Sequence, residues 1–449
     1  MAVQSRSTLP YTCKQVYHPW RENCMEAAWS LTVPSFRESF KVYSVLYAVT
    51  SIIKLRKVRT LKQLRELLIG FATETIQSTI FLGTHGMVFL PVCCGGRQLF
   101  GHLSYYKLYF QVVLCTFPAI LIERKQRRGA LALYMANLAV EVLFKMAIQR
   151  KMFTPLHNGE ILIFAIASAI YTFILKTTSD HKHNNLLFSV IRSLVGKEEC
   201  APSVAVELIQ KPKQKSVYFA LFYKLIKNIK RWPRIQNKNH PICTHKYRCF
   251  LHVLLGFIKR FLAGVLIQFI LHFTSSPLKF LRHPTYFFAT LTKSSFDLAK
   301  FLGLYSAIYR AVSCLLRNIL KYDRPEHGLL AGYLAGFSML FYKSSTLAMY
   351  ITGKLLESIY FKAAQDGKVP IIRHFDSLLY SLSTALVLHA AVLEPQAMRP
   401  GYYRFLARLT GGYFSQVNRP MMDSYGVCSS KLFPNYKLPL ISNYTFETD

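Results

Sequence analysis

Acidic side chains are scarce in this sequence. Its 449 residues hold 22 Asp+Glu against 56 Lys+Arg, for a formal net charge of +34. Charge of either sign is thin too, at 17%, where soluble domains carry roughly 25%. Ten cysteines are too few for a disulfide-stapled scaffold. With 14% aromatic and 52% hydrophobic residues the chain is not a disordered one. The opening MAVQSRSTLPYT lacks the apolar core of a secretory signal and is poor in Arg for a transit peptide. The closing FETD is neither a peroxisomal-matrix nor an ER-retention address, so targeting is expected to be internal. The sequon Asn443-Tyr444-Thr445 reads as a chance match. There is no GxSxG, Walker A, HExxH or HxxxxD pattern, so no catalytic residue and no cofactor are expected.

Long apolar runs are what the sequence does have. Tyr105–Ile122, Ala130–Ile148, Ile161–Leu175, Gly328–Tyr342 and Ser377–Leu393 are nearly free of charge. A bilayer core asks for about 20 apolar residues in a helix. No single run decides the matter, but soluble core helices do not account for ten in succession. The expected fold is an all-α, polytopic membrane helix bundle with roughly eight to ten membrane segments.

The sequence also repeats. A shift of 216 aligns Leu131–Ile170 with Leu347–Leu386 without gaps, and eight of forty pairs are identical. Glu141/Glu357 carries most weight among them, because a carboxylate inside an apolar segment is uncommon. His18-Pro19 with Cys24 resembles His240-Pro241 with Cys243 and Cys249. Two repeats of about 220 residues are therefore expected.

The segments are a Cys-containing start (1–35), a first repeat (36–207), a basic linker (208–248), a second repeat (249–395) and a C-terminal tail (396–449). Expected helices are Phe36–Ile53, Leu67–Cys93, Tyr105–Ile122, Ala130–Ile148 and Glu160–Leu175 in the first repeat. In the second they are Cys249–Phe273, Phe296–Leu320, Glu326–Tyr342, Ser344–Ala363 and Asp376–Leu393. Charges within Phe36–Ile53 allow that helix to lie at the interface instead of crossing. Lys/Arg counts of six in 54–65, one in 95–104, four in 123–129 and two in 149–159 alternate as the positive-inside rule asks. Five crossings per repeat would invert the second repeat, and four would not. The linker has eleven Lys/Arg and no acid, and Tyr218–Lys230 reads as an interfacial amphipathic helix. The partner expected there is the lipid bilayer, not nucleic acid.

Three groups of residues invite a role. Gly328, Ala331, Gly332, Ala335 and Gly336 share one helix face, for a contact inside the bundle or a homo-oligomer seam. Glu141 has Lys145 at i+4 and Glu357 has Lys354 at i−3, so ion pairing competes with a transport role for these acids. Cys13, Cys24, Cys243, His245 and Cys249, with His18 and His240, have metal-ligand side chains. Their spacing is not that of a standard zinc knuckle. A disulfide or free thiols remain open, and no metal is expected.

Several stretches resemble the transmembrane protein 135 family: Ile122-Glu-Arg-Lys-Gln-Arg-Arg-Gly129, Tyr134-Met-Ala-Asn-Leu-Ala139, Val195-Gly-Lys-Glu-Glu199, Phe341-Tyr-Lys-Ser344, Gly367-Lys-Val-Pro370 and Arg399-Pro400. The Cys13–Cys24 segment resembles that family's cysteine-rich N-terminal region. Arg317…Asp323…Ala331-Gly332-x3-Gly336 is similar to the motif of the mitochondrial translocase-channel (Tim) and peroxisomal membrane protein superfamily, with Asp323 one residue too far from Ala331. The resemblance implies a non-enzymatic protein of mitochondrial and peroxisomal membranes, acting in mitochondrial fission balance, peroxisome organisation and lipid metabolism. Fission machinery at the cytosolic face is the implied partner, recruited by the basic segments 54–65, 123–128 and 208–248. A carrier or channel for a lipid or small metabolite is the alternative, motivated by the repeat and by Glu141/Glu357.

Overall fold

In a computed structural model of the chain, residues 7–55, 58–152, 154, 156–177, 186–199, 243, 245, 248–275, 296–370 and 372–433 are described. Among the described residues the protein is all-α apart from one short antiparallel pair, in which Thr8 faces Ser104 and Leu9 faces Leu103. The basic linker, with Tyr218–Lys230 and His240, and the sequon at Asn443 lie outside the described residues.

The chain divides into two compact units, Met1–Pro155 with Ile371–Asp449, and Leu156–Pro370. Unit 1 contains α1 (Cys13–Val16), α2 (Cys24–Leu55), α3 (Leu61–Phe100), α4 (Tyr105–Ile122) and α5 (Lys125–Gln149). It also holds α12 (Phe375–Leu393), α13 (Pro400–Leu409) and α14 (Arg419–Met422). Unit 2 contains α6 (Gly159–Thr177), α7 (Leu186–Val195), α8 (Cys249–Ser275), α9 (Asp297–Leu320), α10 (Pro325–Gly336) and α11 (Ser345–Gln365). These boundaries differ from the halves read in the sequence. Each unit takes four long helices from one half and the fifth from the other: α12 lies against α4 and α5, and α6 against α10 and α11.

All ten expected helices are present, with differences at their ends. One is broken: α10 stops at Gly336, and Phe337–Phe341 continues as a 3-10 turn. Its 12 residues reach only about 18 Å at 1.5 Å per residue, short of a bilayer. Among the described residues seven helices are long and apolar enough to cross a membrane: α3, α4, α5, α6, α8, α9 and α12. Of the other expected segments, α10 is short and charges interrupt α2 (Arg37, Glu38, Lys41) and α11 (Lys354, Glu357, Lys362). Along α4 an exposed stripe of Tyr106, Phe110, Leu114, Phe117 and Leu121 repeats at helical spacing. A stripe of that length is unfavourable in water and suits lipid.

Local sequence explains the helix ends and contacts. Thr60 caps α3, and Gly101, at φ +74°, ends it with a left-handed residue. On α3, Gly86 meets Ser35 of α2 so closely that an added Cβ would lie 2.0 Å from its Oγ. The α2–α3 hairpin is closed by that fit. The links α5–α6 and α11–α12 share a backbone pattern at the 216-residue shift. Lys151 and Gly367 both have positive φ, as do Asn158 and His374. The hydrogen bonds Arg150 N–Met146 O, Lys151 N–Ile148 O and Met152 N–Ala147 O recur at Asp366–Lys362, Gly367–Ala364 and Lys368–Ala363.

The unit 1 core gathers Leu90, Val112, Leu138, Ala385 and Leu393. The segment read as a tail is part of it: Tyr403, Leu406, Phe414 and Met422 are buried there. Arg419, fully buried, ties that segment down by donating to the Ala391 carbonyl at 3.2 Å and to Tyr403 Oη at 3.0 Å. The unit 2 core is more aromatic, with Phe164, Tyr171, Phe301, Tyr305 and Tyr309.

Candidate sites: an apolar pocket and two cysteine–histidine clusters

Unit 1 encloses a pocket of about 820 Å³, its open mouth included. Its walls include Leu31, Leu82, Phe89, Leu388, Phe405 and Leu406, from α2, α3, α12 and α13. Tyr17 and Trp20, between α1 and α2, complete one side. His85 and Tyr380 at the wall engage each other. His85 Nδ1 bonds the Phe81 carbonyl at 3.0 Å, and its Nε2 meets Tyr380 Oη at 3.2 Å. Such a cavity binds by apolar burial and not by charge. Sequence reasoning missed it, because half of its wall comes from residues read as an N-terminal segment and a C-terminal tail.

Beside the pocket, four metal-ligand side chains converge: Cys13, His18, Cys24 and Cys94, their donor atoms all within 4.8 Å of one another. Cys13 Sγ and Cys24 Sγ are 3.4 Å apart. His18 is fully buried; its Nδ1 bonds the Arg21 carbonyl at 3.0 Å, so Nε2 is the nitrogen turned to the sulfurs. Hydrogen bonds from Cys94 and then His18 hold the Cys13 thiol well below its usual range, to about 4, against the opposing effect of burial.

Unit 2 has a matching group: Cys243, His245, Cys249 and Cys314, again within 4.8 Å of one another. His245 Nε2 lies 3.6 Å from Cys249 Sγ and 3.3 Å from Cys314 Sγ. Burial pushes the Cys243 thiol up. The sequence aligned His18 with His240, but the histidine among the described residues of this group is His245. Cys94 and Cys314 were also missed, since each stands some 70 residues from its companions. One signal could have found them: they are separated by 220 positions, inside the range of the repeat shifts.

The glycine face lies within unit 2. A Cβ on Gly328 would meet the Thr172 carbonyl oxygen at 3.0 Å, one on Gly332 would meet Thr172 Oγ1 at 2.0 Å, and one on Gly336 would meet Ala165 Cα at 2.4 Å. The two backbones are close enough for side-chain-to-backbone bonds across the contact. Ser168 Oγ donates to the Gly332 carbonyl at 2.9 Å, and Thr172 Oγ1 to that of Gly328 at 2.7 Å. Ala331 and Ala335 are fully buried.

Both repeat-related acids are ion-paired. Glu141 meets Lys145 at 3.0 Å and also Arg399; Glu357 meets Lys354. Of the basic segments, 123–128 turns its arginines inward and leaves Lys125 exposed. Arg124 and Arg127 reach Tyr47 Oη and the buried Glu123, and Arg128 donates to the Glu123 and Leu121 carbonyls. Lys54, Arg59, Lys62 and Arg65 are exposed.

The stretch around Val195–Glu199 and Arg317–Asp323 is one ionic network in unit 2. Arg317 bridges Glu199 at 2.6 Å and Asp323 at 2.9 Å, and Lys176 reaches Asp323 at 2.8 Å. Burial works to raise the Glu199 carboxyl, but hydrogen bonding from His252 and the charge of Arg317 hold it down, at about 2.

Residues 10–148 match the family described as the N-terminal cysteine-rich region of Transmembrane protein 135. No solved structure matches the chain.

Proposed function

We propose that this chain, matched over residues 10–148 by the N-terminal cysteine-rich region of Transmembrane protein 135, is a member of the transmembrane protein 135 family and a non-catalytic, multi-pass protein of mitochondrial and peroxisomal membranes that holds the acyl chain of a lipid. Its contribution to fission balance, peroxisome organisation and lipid metabolism follows from that binding. The observation that carries the reading is the unit 1 pocket, a mainly apolar cavity in a membrane protein, with His85 and Tyr380 in its wall bonded to each other. Burying apolar surface contributes about 0.8 kcal/mol per CH2, so an acyl chain gains where a polar metabolite does not. The ion pairing of Glu141 and Glu357 gives no support to a route driven by free carboxylates.

The test uses the full chain in detergent with a fluorescent fatty acid. Leu82→Trp fills the pocket and is expected to weaken binding at least tenfold. Leu114→Trp, on the exposed stripe of α4, is expected to leave it unchanged. Equal binding by the parent and Leu82→Trp, both folded, would reject the pocket as the site. A second reading, recruitment of fission machinery, is favoured by the exposed Lys54, Arg59, Lys62 and Arg65. Replacing these four with Gln should change mitochondrial length at equal expression and localisation; unchanged length would remove that reading.

A further inference from the structure

We propose that each unit holds a structural zinc ion: one on Cys13, His18, Cys24 and Cys94, the other on Cys243, His245, Cys249 and Cys314. The argument is independent of the pocket. Three cysteines and one histidine are a complete donor set for a closed, four-coordinate site. With Zn–S bonds of about 2.3 Å and Zn–N bonds of about 2.0–2.1 Å, tetrahedral angles place sulfurs about 3.8 Å apart and sulfur and nitrogen about 3.6 Å apart. The separations here are 3.4 Å between Cys13 and Cys24, and 3.6 and 3.3 Å from His245 to its two sulfurs. All four donors of each site lie within 4.8 Å of one another, so they converge on a common point and closing a tetrahedral site asks for side-chain shifts of up to about 1 Å.

The histidine of unit 1 is oriented as a ligand. A metal-bound imidazole usually gives its other N–H to a carbonyl or carboxylate, which fixes the tautomer. His18 does this at Nδ1 with the Arg21 carbonyl. Its Nε2 is buried, has no oxygen or nitrogen partner and faces three sulfurs. A buried nitrogen in that state is costly unless something binds it. A disulfide would use only two of the four donors and leave this nitrogen unexplained.

Recurrence is the second, separate argument. The donors come in the same chain order in both units, Cys–His–Cys and then a distant Cys. In each, the first three lie before or at the start of one long helix (α2 or α8), and the fourth lies on the helix that pairs with it (α3 or α9). The left-handed residues shared at the 216-residue shift point to one ancestral unit present twice. Two units that retain the same four-donor clamp at the same joint indicate a common ligand. The other buried cysteines, Cys93 and Cys115, are not among the groups of potential ligands.

Binding involves no redox step. Zn2+ coordinates thiolates, so the three thiol protons of each site leave to solvent as three Zn–S bonds and one Zn–N bond form. In unit 1 the ion would fasten α1 and the start of α2 to the far end of α3.

The experiment measures metal in the full chain, purified in detergent without chelator, by elemental analysis. The parent is expected to hold about two zinc ions, one per closed site. Cys94→Ser and Cys314→Ser should each halve the content, the double variant should lose nearly all of it, and Cys115→Ser should keep the parental amount. Parent protein with negligible zinc, or with a different metal at that stoichiometry, overturns the proposal. A single variant that keeps the parental content overturns the site it tests. Should a variant fail to fold, chelator-stripped parent is titrated with Co2+. The visible absorption of tetrahedral cobalt–thiolate centres, saturating at about two equivalents, is expected, and its absence rejects both sites.

Discussion

The two units are built alike and closed differently. Each pairs two long helices beneath a cysteine–histidine cluster and completes its bundle with the fifth helix of the other half of the chain. Unit 1 then adds residues 394–433, with Arg419 buried at their centre, and those residues complete an apolar pocket. Unit 2 adds α7 and the turn after it, which bring Glu199 onto Arg317 as part of an ionic network. One scaffold has been finished once around a cavity and once around buried charge. The charge network makes its unit sensitive to the loss of single residues.

The largest effect expected from breaking that difference is at Arg317. Its side chain is 2% exposed and Glu199 is fully buried, so removing Arg317 leaves the buried carboxylate with His252 as its remaining ion-pair partner. Such breakage typically costs about 3–5 kcal/mol. Arg317→Leu should therefore strip unit 2 of protease resistance in detergent while unit 1 fragments stay resistant. Acid sharpens the point. The Glu199 carboxyl lies at about 2 in the folded protein, below the ordinary glutamate value of about 4.3. The stability it contributes is present above pH ~4.3 and is lost as pH falls from there toward 2. The stability gap between parent and Glu199→Gln should narrow below about 4 as the carboxylate protonates, while between pH 7 and 5 it also follows the protonation of its partner His252. A gap that stayed constant to pH 3 would contradict this.

Gly332→Leu comes next. Even a Cβ at this position meets Thr172 Oγ1 at 2.0 Å. Overpacking alone costs about 1–3 kcal/mol, and separating the helices also loosens the bonds from Ser168 and Thr172 to glycine carbonyls. In a bilayer no hydrophobic force draws them back together. Leu334→Ile, at a residue 38% exposed, keeps its volume and is the control. The glycine variant should accumulate at a small fraction of the parental level and the control near it. Normal accumulation and heat resistance of Gly332→Leu would mean the helices can part at little cost.

Much of this was legible in the sequence because helix formation and helix contact are local. Apolar runs located all ten expected helices, Tyr105–Ile122 to the residue, and the four-residue glycine spacing marked the face that lies on α6. The failures are long-range. Nothing near Cys94 or Cys314 distinguishes them from other membrane cysteines; only the fold brings them to their clusters. The segment 396–449 was read as a tail, yet it holds the short helix Pro400–Leu409. Its burial depends on Arg419 finding carbonyls and rings supplied by distant residues. The basic run 123–128 was read as a docking surface. Its arginines have partners in α2 and α3, Tyr47 and Ser78 among them, which no local pattern announces.

The smallest effect tests the comparison at its most direct point, the aligned acids. Glu141 and Glu357 occupy equivalent positions at the 216-residue shift, yet their surroundings differ. Glu141 has two cations, Lys145 and Arg399, and its side chain is 17% exposed; Glu357 pairs with Lys354 and is 27% exposed. The second cation comes from the Arg399-Pro400 stretch that begins the extra segment of unit 1. Partly exposed pairs are worth about 0.2–1 kcal/mol each, so Glu141→Gln should destabilise by about 1 kcal/mol and Glu357→Gln by a few tenths. In the Arg399→Gln background the Glu141→Gln penalty should shrink to that of Glu357→Gln, since only the i+4 lysine remains. Thermal melting of the full chain in detergent measures all of these. If Glu141→Gln costs as much in the Arg399→Gln background as in the parent, the pair with Arg399 contributes no stability. The added segment would then be held to unit 1 by Arg419 and apolar burial alone.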